Sequence, residues 1–255
     1  MPDPTVDGGT ALYLDLLKRV LTNVIYEDPS IPNFLIPTPE YNKEAREAGV
    51  DWPTVAHTMV GLTRLDNVQK CLQNVIADGV PGDFIETGVW RGGVCIFARG
   101  LFKAYGIEDR KVWVADSFEG IPTVGDDAHP LDKELQLHTS NDALAVTRKE
   151  VEANFAGYDL LDGQVQFLEG WFCDTLPQAP IEQLSVLRLD GDLYESTMDA
   201  LDSLYPKLSV GGYVIIDDYL IPACKEAVHE YRDAHGITDE IVRIDHCSVY
   251  WRRTA

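Results

Sequence analysis

Leu12, Leu14, Leu16, Leu17, Val20, Leu21, Val24 and Ile25 recur near helical spacing, with Asp15, Lys18 and Arg19 between them. That pattern predicts an amphipathic helix over residues 11–26, lying outside any sheet. Residues 27–53 break the periodicity with Pro29, Pro32, Pro37, Pro39 and Pro53, interleaved with the aromatics Phe34, Tyr41 and Trp52. A long loop is expected there, with one short helix near 42–48, serving as a lid or as a subunit-packing arm. A second helix is expected over 54–76, capped by Thr54 and burying Val55, Met59, Leu62, Leu65, Val68 and Leu72.

Beyond residue 76 short apolar runs alternate with helical periodicity. Strands are expected at 83–87, 112–115, 165–168, 185–189, 213–216, 241–244 and 249–252, and helices at 92–105, 145–155, 196–205 and 222–234. Such alternation specifies an α/β fold, a mostly parallel seven-stranded sheet with helices on both faces. The last two strands suit an antiparallel edge pair. The chain thus divides into an N-terminal helical segment and lid or oligomerisation arm, residues 1–76, and a core, residues 77–255. Several strands end abruptly in carboxylates, and the carboxyl edge of such a sheet is where ligands bind.

Charge removes some partners. The 255 residues hold 21 Lys and Arg against 42 Asp and Glu, a formal net charge of -21, with no basic run to offset it. Nucleic acid and anionic membranes, which need basic stripes, are poor partners. Cys71, Cys95, Cys173, Cys224 and Cys247 are scattered and form no C-x-x-C pair, so neither a disulfide framework nor a zinc cage is indicated. Residues 1–10 lack the pattern of a secretion signal and no apolar run is long enough for a membrane span, so a soluble cytoplasmic protein is expected.

Glu86-Thr87-Gly88-Val89-Trp90-Arg91-Gly92-Gly93 joins a strand to a helix as a nucleotide-type loop. Trp90 occupies the position of the second glycine in a dinucleotide fingerprint, and no G-K-[ST] follows, so NAD and Walker-type phosphate binding are disfavoured. S-adenosylmethionine fits what remains. Its amino-acid end can meet Glu86 and the backbone at Gly88, and its ribose hydroxyls can pair with Asp116, helped by Ser117. Gly170, Trp171 and Phe172 offer a flat surface for adenine.

Asp190, Asp192, Asp217 and Asp218 follow two further apolar strands. If the chain stays extended through Gly191, Asp190 and Asp192 face one site, while Asp217 and Asp218 need a turn to share it. Converging carboxylates repel, and a hard dication relieves the repulsion; oxygen-only ligands suit Mg²⁺. Coordination lowers the pKa of an alcohol acceptor while a carboxylate off the metal takes its proton. Asp192, farther into the loop, is favoured as that base.

These motifs, with Val114-Ala115-Asp116-Ser117-Phe118, Leu189-Asp190-Gly191-Asp192-Leu193-Tyr194, Ile215-Ile216-Asp217-Asp218-Tyr219 and Tyr250-Trp251-Arg252-Arg253, resemble the macrocin-type sugar O-methyltransferases. The resemblance runs from about Leu12 to Arg253. It implies a Rossmann-like class I methyltransferase acting on a deoxysugar of a macrolide, aminocoumarin or similar antibiotic glycoside, and homo-oligomers, dimer or tetramer, whose N-terminal segments help form the site. It further implies Mg²⁺ held by Asp190, Asp217 and Asp218, base catalysis by Asp192, and Thr58, Met59 and Asp190 near the cofactor. Tyr41, His138, Asn141 and Tyr219 are the candidates to touch the acceptor, although His138 also reads as a helix-capping residue. Two rivals use Asp190-x-Asp192 differently, a metal-dependent phosphatase and a glycosyltransferase. Their spacing and basic residues fit poorly. A non-catalytic cofactor-binding protein would leave Asp192 without a role.

Overall fold

The computed structural model describes residues 8–33 and 36–255; Phe34 and residues 1–7 of the N-terminal segment lie outside them. Helix α1, Gly8–Leu21, buries Leu14, Leu17 and Leu21. It stops five residues before the expected end because Asn23 and Glu27 take φ of +52° and +57°, which no helix tolerates. Strand β1, Ser30–Ile31, pairs antiparallel with β2, Trp52–Pro53. Between them lies the short helix α2, Lys43–Ala48, whose start Asn42 caps by accepting from the Ala45 N–H and whose end is the left-handed Gly49.

Helix α3 spans Gly61–Ala77, not 54–76. Residues 54–60 stay out of the helix because their donors are taken by distant partners. The Val55 and Ala56 N–H groups and the Thr54 hydroxyl donate to the Asp28 carboxylate, and the His57 and Thr58 N–H groups donate to the Leu21 carbonyl. Thr54 is therefore no cap, and Val55, expected in the core, is 63% exposed.

The remaining elements alternate along the chain: β3 Asp83–Thr87, α4 Gly93–Ala104, β4 Val112–Asp116, α5 Pro130–Leu135, α6 Asn141–Leu144, α7 Arg148–Gly157, β5 Val165–Glu169, α8 Phe172–Thr175, β6 Leu184–Leu189, α9 Tyr194–Leu204, β7 Leu208–Ile216, α10 Pro222–Ala234, β8 Val242–Arg243 and β9 Val249–Arg252. The seven strands from β3 onward form one sheet in the order β5-β4-β3-β6-β7-β9-β8. All neighbours from β5 to β7 are parallel, and β9 and β8 close the edge antiparallel.

Alternation along each strand divides the core into two layers. Phe84, Val114, Val186 and Ile215 pack on one face with α1, α3, α4 and α7, whereas Ile85, Trp113, Leu187 and Val214 pack on the other with α9 and α10. Each fully buried side chain of this size contributes about 1.5–3 kcal/mol. Among the described residues, no helix is long and apolar enough to cross a membrane.

Candidate active site

Strand order reverses between β3 and β6, and the connections that leave their carboxyl ends part there, which opens a crevice above the edge of the sheet. The sheet ladder continues one residue past the strands: Gly88 donates to the Ala115 carbonyl, Asp190 to Thr87, Asp217 to Leu189 and Gly170 to Asp116, each at 2.9 Å. This stitching places Gly88, Asp190 and Asp217 side by side at one edge. Gly88 has φ +84°, and a Cβ there would lie 1.8 Å from the Asp190 carbonyl oxygen, so only glycine fits.

The glycine loop is braced from outside. Arg91 lies 4.1 Å from the Trp90 ring centroid and donates to the Pro53 and Ala56 carbonyls at 3.1 and 3.0 Å. The Trp90 indole donates to the Ala143 carbonyl at 3.0 Å. At the end of β4, Asp116 accepts from the Val89 N–H at 2.7 Å and the Phe118 N–H at 2.8 Å, one on each oxygen. Burial raises the Asp116 pKa against these N–H groups. Ser117 donates to the Gly120 carbonyl at 2.9 Å and shapes the turn.

Arg188 is the fully buried centre of the acidic cluster. It pairs with Glu86, with Asp190 at 2.7 Å and with Asp217. Arg64 holds the other oxygen of Asp217 at 2.7 Å and Asp245 at 2.8 Å. Burial pushes Glu86 up to about 8 against the pull of Arg188, and Cys95 donates to it at 3.0 Å. Asp190 and Asp192 lie deep yet keep a water-accessible side, and burial followed by carboxylate repulsion raises both. Asp218 is raised well above the ordinary carboxylate value, by burial and by repulsion from Asp192, Asp190 and Asp217.

Asp192 does not continue the strand. The Leu193 N–H turns back to the Gly191 carbonyl at 2.6 Å, Asp192 takes φ +57°, and its own N–H donates to Asp218 at 3.2 Å. The simple alternation expected through Gly191 is replaced by a tight turn, a conformation that costs about 1–3 kcal/mol and persists where surroundings enforce it. Asp190, Asp217 and Asp218 offer carboxylate oxygens all within 4.8 Å of one another.

One cavity of about 420 Å³ gathers most of the expected residues: Thr58, Met59, Glu86, Gly88, Asp116, Ser117, Trp171, Phe172, Asp190, Asp192, Asp217 and Asp218 all line it. Gly170 lies just outside, at φ +135° before Trp171. The four acceptor candidates are not among the lining residues. Tyr41 lies under the Arg46 guanidinium, 5.3 Å away. Asn141 clasps both the N–H and the carbonyl of Ile121 at 2.9 Å. Tyr219 bonds His229 at 2.6 Å, and the buried His138 Nδ1 has no hydrogen-bond partner among the described residues. Trp52, Arg64, Leu144 and Cys247 also line the cavity, although the sequence assigns none of them a contact with cofactor, metal or acceptor. Arg188 carried a readable signal: a cation in the run Leu184-Ser185-Val186-Leu187-Arg188-Leu189, buried on both faces, must have carboxylate partners.

Residues 10–253 match the family Macrocin-O-methyltransferase (TylF). The chain is 60% identical over 249 residues to the mycinamicin III 3''-O-methyltransferase of Micromonospora griseorubida, covering 97% of this chain and 98% of that protein. It is 60% identical over 244 residues to the 8-demethyl-8-(2,3-dimethoxy-alpha-L-rhamnosyl)-tetracenomycin-C 4'-O-methyltransferase of Streptomyces olivaceus, covering 96% and 93%. The solved structure of the O-methyltransferase NovP superposes with a TM-score of 0.93 at 56% identity, covering 96% of this chain and 99% of that one. The glycine loop at the switch point and this full-length similarity agree: the chain belongs to the macrocin O-methyltransferase (TylF) family and is an S-adenosylmethionine-dependent O-methyltransferase of the Rossmann-like class I fold.

Proposed function

We propose that this enzyme methylates a hydroxyl of a deoxysugar on an antibiotic-type glycoside, assisted by Mg²⁺. The observation that carries the reading is the convergence of Asp190, Asp217 and Asp218 beside Asp192, in the same cavity that the glycine loop lines. Relatives named for methylating mycinamicin III and a rhamnosyl tetracenomycin support the substrate class. Membership of a methyltransferase family leaves the phosphatase and glycosyltransferase readings of Asp190-x-Asp192 without support.

The donor set fits a hard dication. Arg64 and Arg188 are two cations among Asp190, Asp192, Asp217, Asp218 and Asp245, and burial first, then repulsion between neighbouring carboxylates, raises the pKa of Asp190 and Asp218. Asp190, Asp217 and Asp218 would hold Mg²⁺, which when bound lowers the pKa of an acceptor hydroxyl. Asp192 takes the hydroxyl proton as general base, its orientation set by the turn at Gly191 and the bond from its N–H to Asp218. On the donor side, S-adenosylmethionine supplies an electrophilic methyl group on sulfur. Asp116 would accept from its ribose hydroxyls, the backbone at Gly88 would meet its amino-acid end, and Trp171 and Phe172 would offer a surface to its adenine, all four residues lining the cavity.

Residues 49–52 and 58–60 line the cavity from the N-terminal arm, which supports the lid role of that segment. Exposed Leu12, Leu16, Tyr26 and Val55 on the same arm support a homo-oligomer, dimer or tetramer. The test combines calorimetry with S-adenosylhomocysteine and a mass-spectrometric screen of deoxysugar glycosides given S-adenosylmethionine and MgCl₂. The expected result is binding, methylation of a glycoside, and a loss of about 10²–10⁴ in rate for Asp192→Asn with unchanged S-adenosylhomocysteine affinity. Equal turnover in that variant would remove Asp192 as base, and activity indifferent to EDTA would remove the metal.

A further inference from the structure

The N-terminal wall of the cavity consists of two stretches, residues 49–52 and residues 58–60. Both are tied to one side chain that does not itself line the cavity, Arg46, which is 1% exposed. Its three guanidinium nitrogens all donate. Nε reaches the two oxygens of Asp51 at 3.0 and 2.9 Å, Nη1 reaches Asp28 at 2.6 Å and the Thr22 carbonyl at 3.1 Å, and Nη2 reaches the Asp28 carbonyl at 2.9 Å.

Each carboxylate then fixes one stretch. Asp51 belongs to the first, and the Ser30 hydroxyl holds it further at 2.7 Å. Asp28 receives the Val55 N–H at 2.6 Å, the Thr54 hydroxyl at 3.2 Å and the Ala56 N–H at 3.3 Å, fixing the chain that leads into the second. The stretches abut: a Cβ on Gly49 would stand 2.3 Å from the Val60 carbonyl oxygen. His57, which leads into the second stretch, is in turn fastened to the glycine loop, since the Gly93 N–H donates to the His57 carbonyl at 2.9 Å.

Resting on the methyltransferase reading above, we propose that Arg46 is a positioning residue for methyl transfer, setting the spacing of the two stretches and through them the width of the donor pocket. A planar guanidinium can address two carboxylates and two carbonyls at once; an ammonium at the same place cannot. Arg46→Lys therefore keeps the charge and removes the geometry. The catalytic aspartates follow β6 and β7, and none of them touches Arg46.

A residue that only stabilised the fold would lower the fraction of active molecules, so kcat per mole of chain would fall while KM and Kd stayed put. Positioning has the opposite signature. For Arg46→Lys, assayed well below its melting temperature, the Kd for S-adenosylhomocysteine and the KM for S-adenosylmethionine are expected to rise about 10-fold, with kcat within about threefold of wild type on the glycoside found in the screen. Should Arg46→Lys not fold, Asp51→Asn carries the same test with a rise of about threefold, because an amide oxygen still accepts one bond. Unchanged Kd and KM in the folded variant overturn the proposal. Absence of S-adenosylhomocysteine binding in the wild-type enzyme overturns the methyltransferase reading as well, which separates the two failures.

Discussion

Asp28 shows how much one buried carboxylate organises. Burial pushes its pKa up, but the Val55 N–H, the Arg46 guanidinium and the Asn23 amide together hold it below the ordinary carboxylate value. A depressed folded-state pKa contributes stability that is present above the unfolded-state value and lost as pH falls through the folded-state value. Thermal midpoints measured from about pH 6 down to about pH 3 should therefore fall, and Asp28→Asn should start lower and fall less steeply. Parallel curves for the two proteins would show that Asp28 is not a source of the acid sensitivity. Asp28 is also a residue whose importance no spacing rule reveals, because its partners lie as far along the chain as Ala56. Asp190, Asp192, Asp217 and Asp218, by contrast, stand out as charges at the ends of apolar runs.

At the level of elements, chain pattern located the strands of the sheet within a few residues, except that β7 begins at Leu208. Burial on both faces leaves continuous apolar runs, and only glycine or charge ends them. Helical spacing is a poorer guide beside the N-terminal arm. Residues 54–60 have helical apolar spacing, yet Asp28 and the Leu21 carbonyl take their donors, and tertiary hydrogen bonds overrode propensity. The β3 turn gives the sharpest test of an element. Gly88→Ala must both adopt φ +84° and relieve a 1.8 Å overlap with the Asp190 carbonyl, so β3 and β6 must part at their ends. The expected outcome is a drop in thermal midpoint together with at least a tenfold loss of S-adenosylhomocysteine affinity, about 1.4 kcal/mol. Wild-type affinity in that variant would show that the close approach of the two strand ends is irrelevant to the donor.

For the whole molecule, a formal charge of -21 opposes compactness. The buried pairs Arg46–Asp28, Arg46–Asp51 and Arg188–Glu86 are shielded from solvent ions, whereas most of the excess negative charge is on the surface. Added salt should therefore relieve repulsion more than it weakens pairing, and the thermal midpoint in EDTA should rise between about 0.01 and about 0.3 M NaCl, where the Debye length contracts from about 30 Å to under 10 Å. A midpoint that falls over this range would place the decisive electrostatics in exposed ion pairs. The order of strands and helices, the glycine loop and the acids at strand ends were legible along the chain, because hydrophobic periodicity and turn chemistry are local properties. The Arg188 and Arg46 networks, the turn that aims Asp192 and the bonds that hold residues 49–52 against the cavity were not. Each depends on which distant carboxylate or carbonyl meets a given donor, and that is decided only when the chain closes on itself.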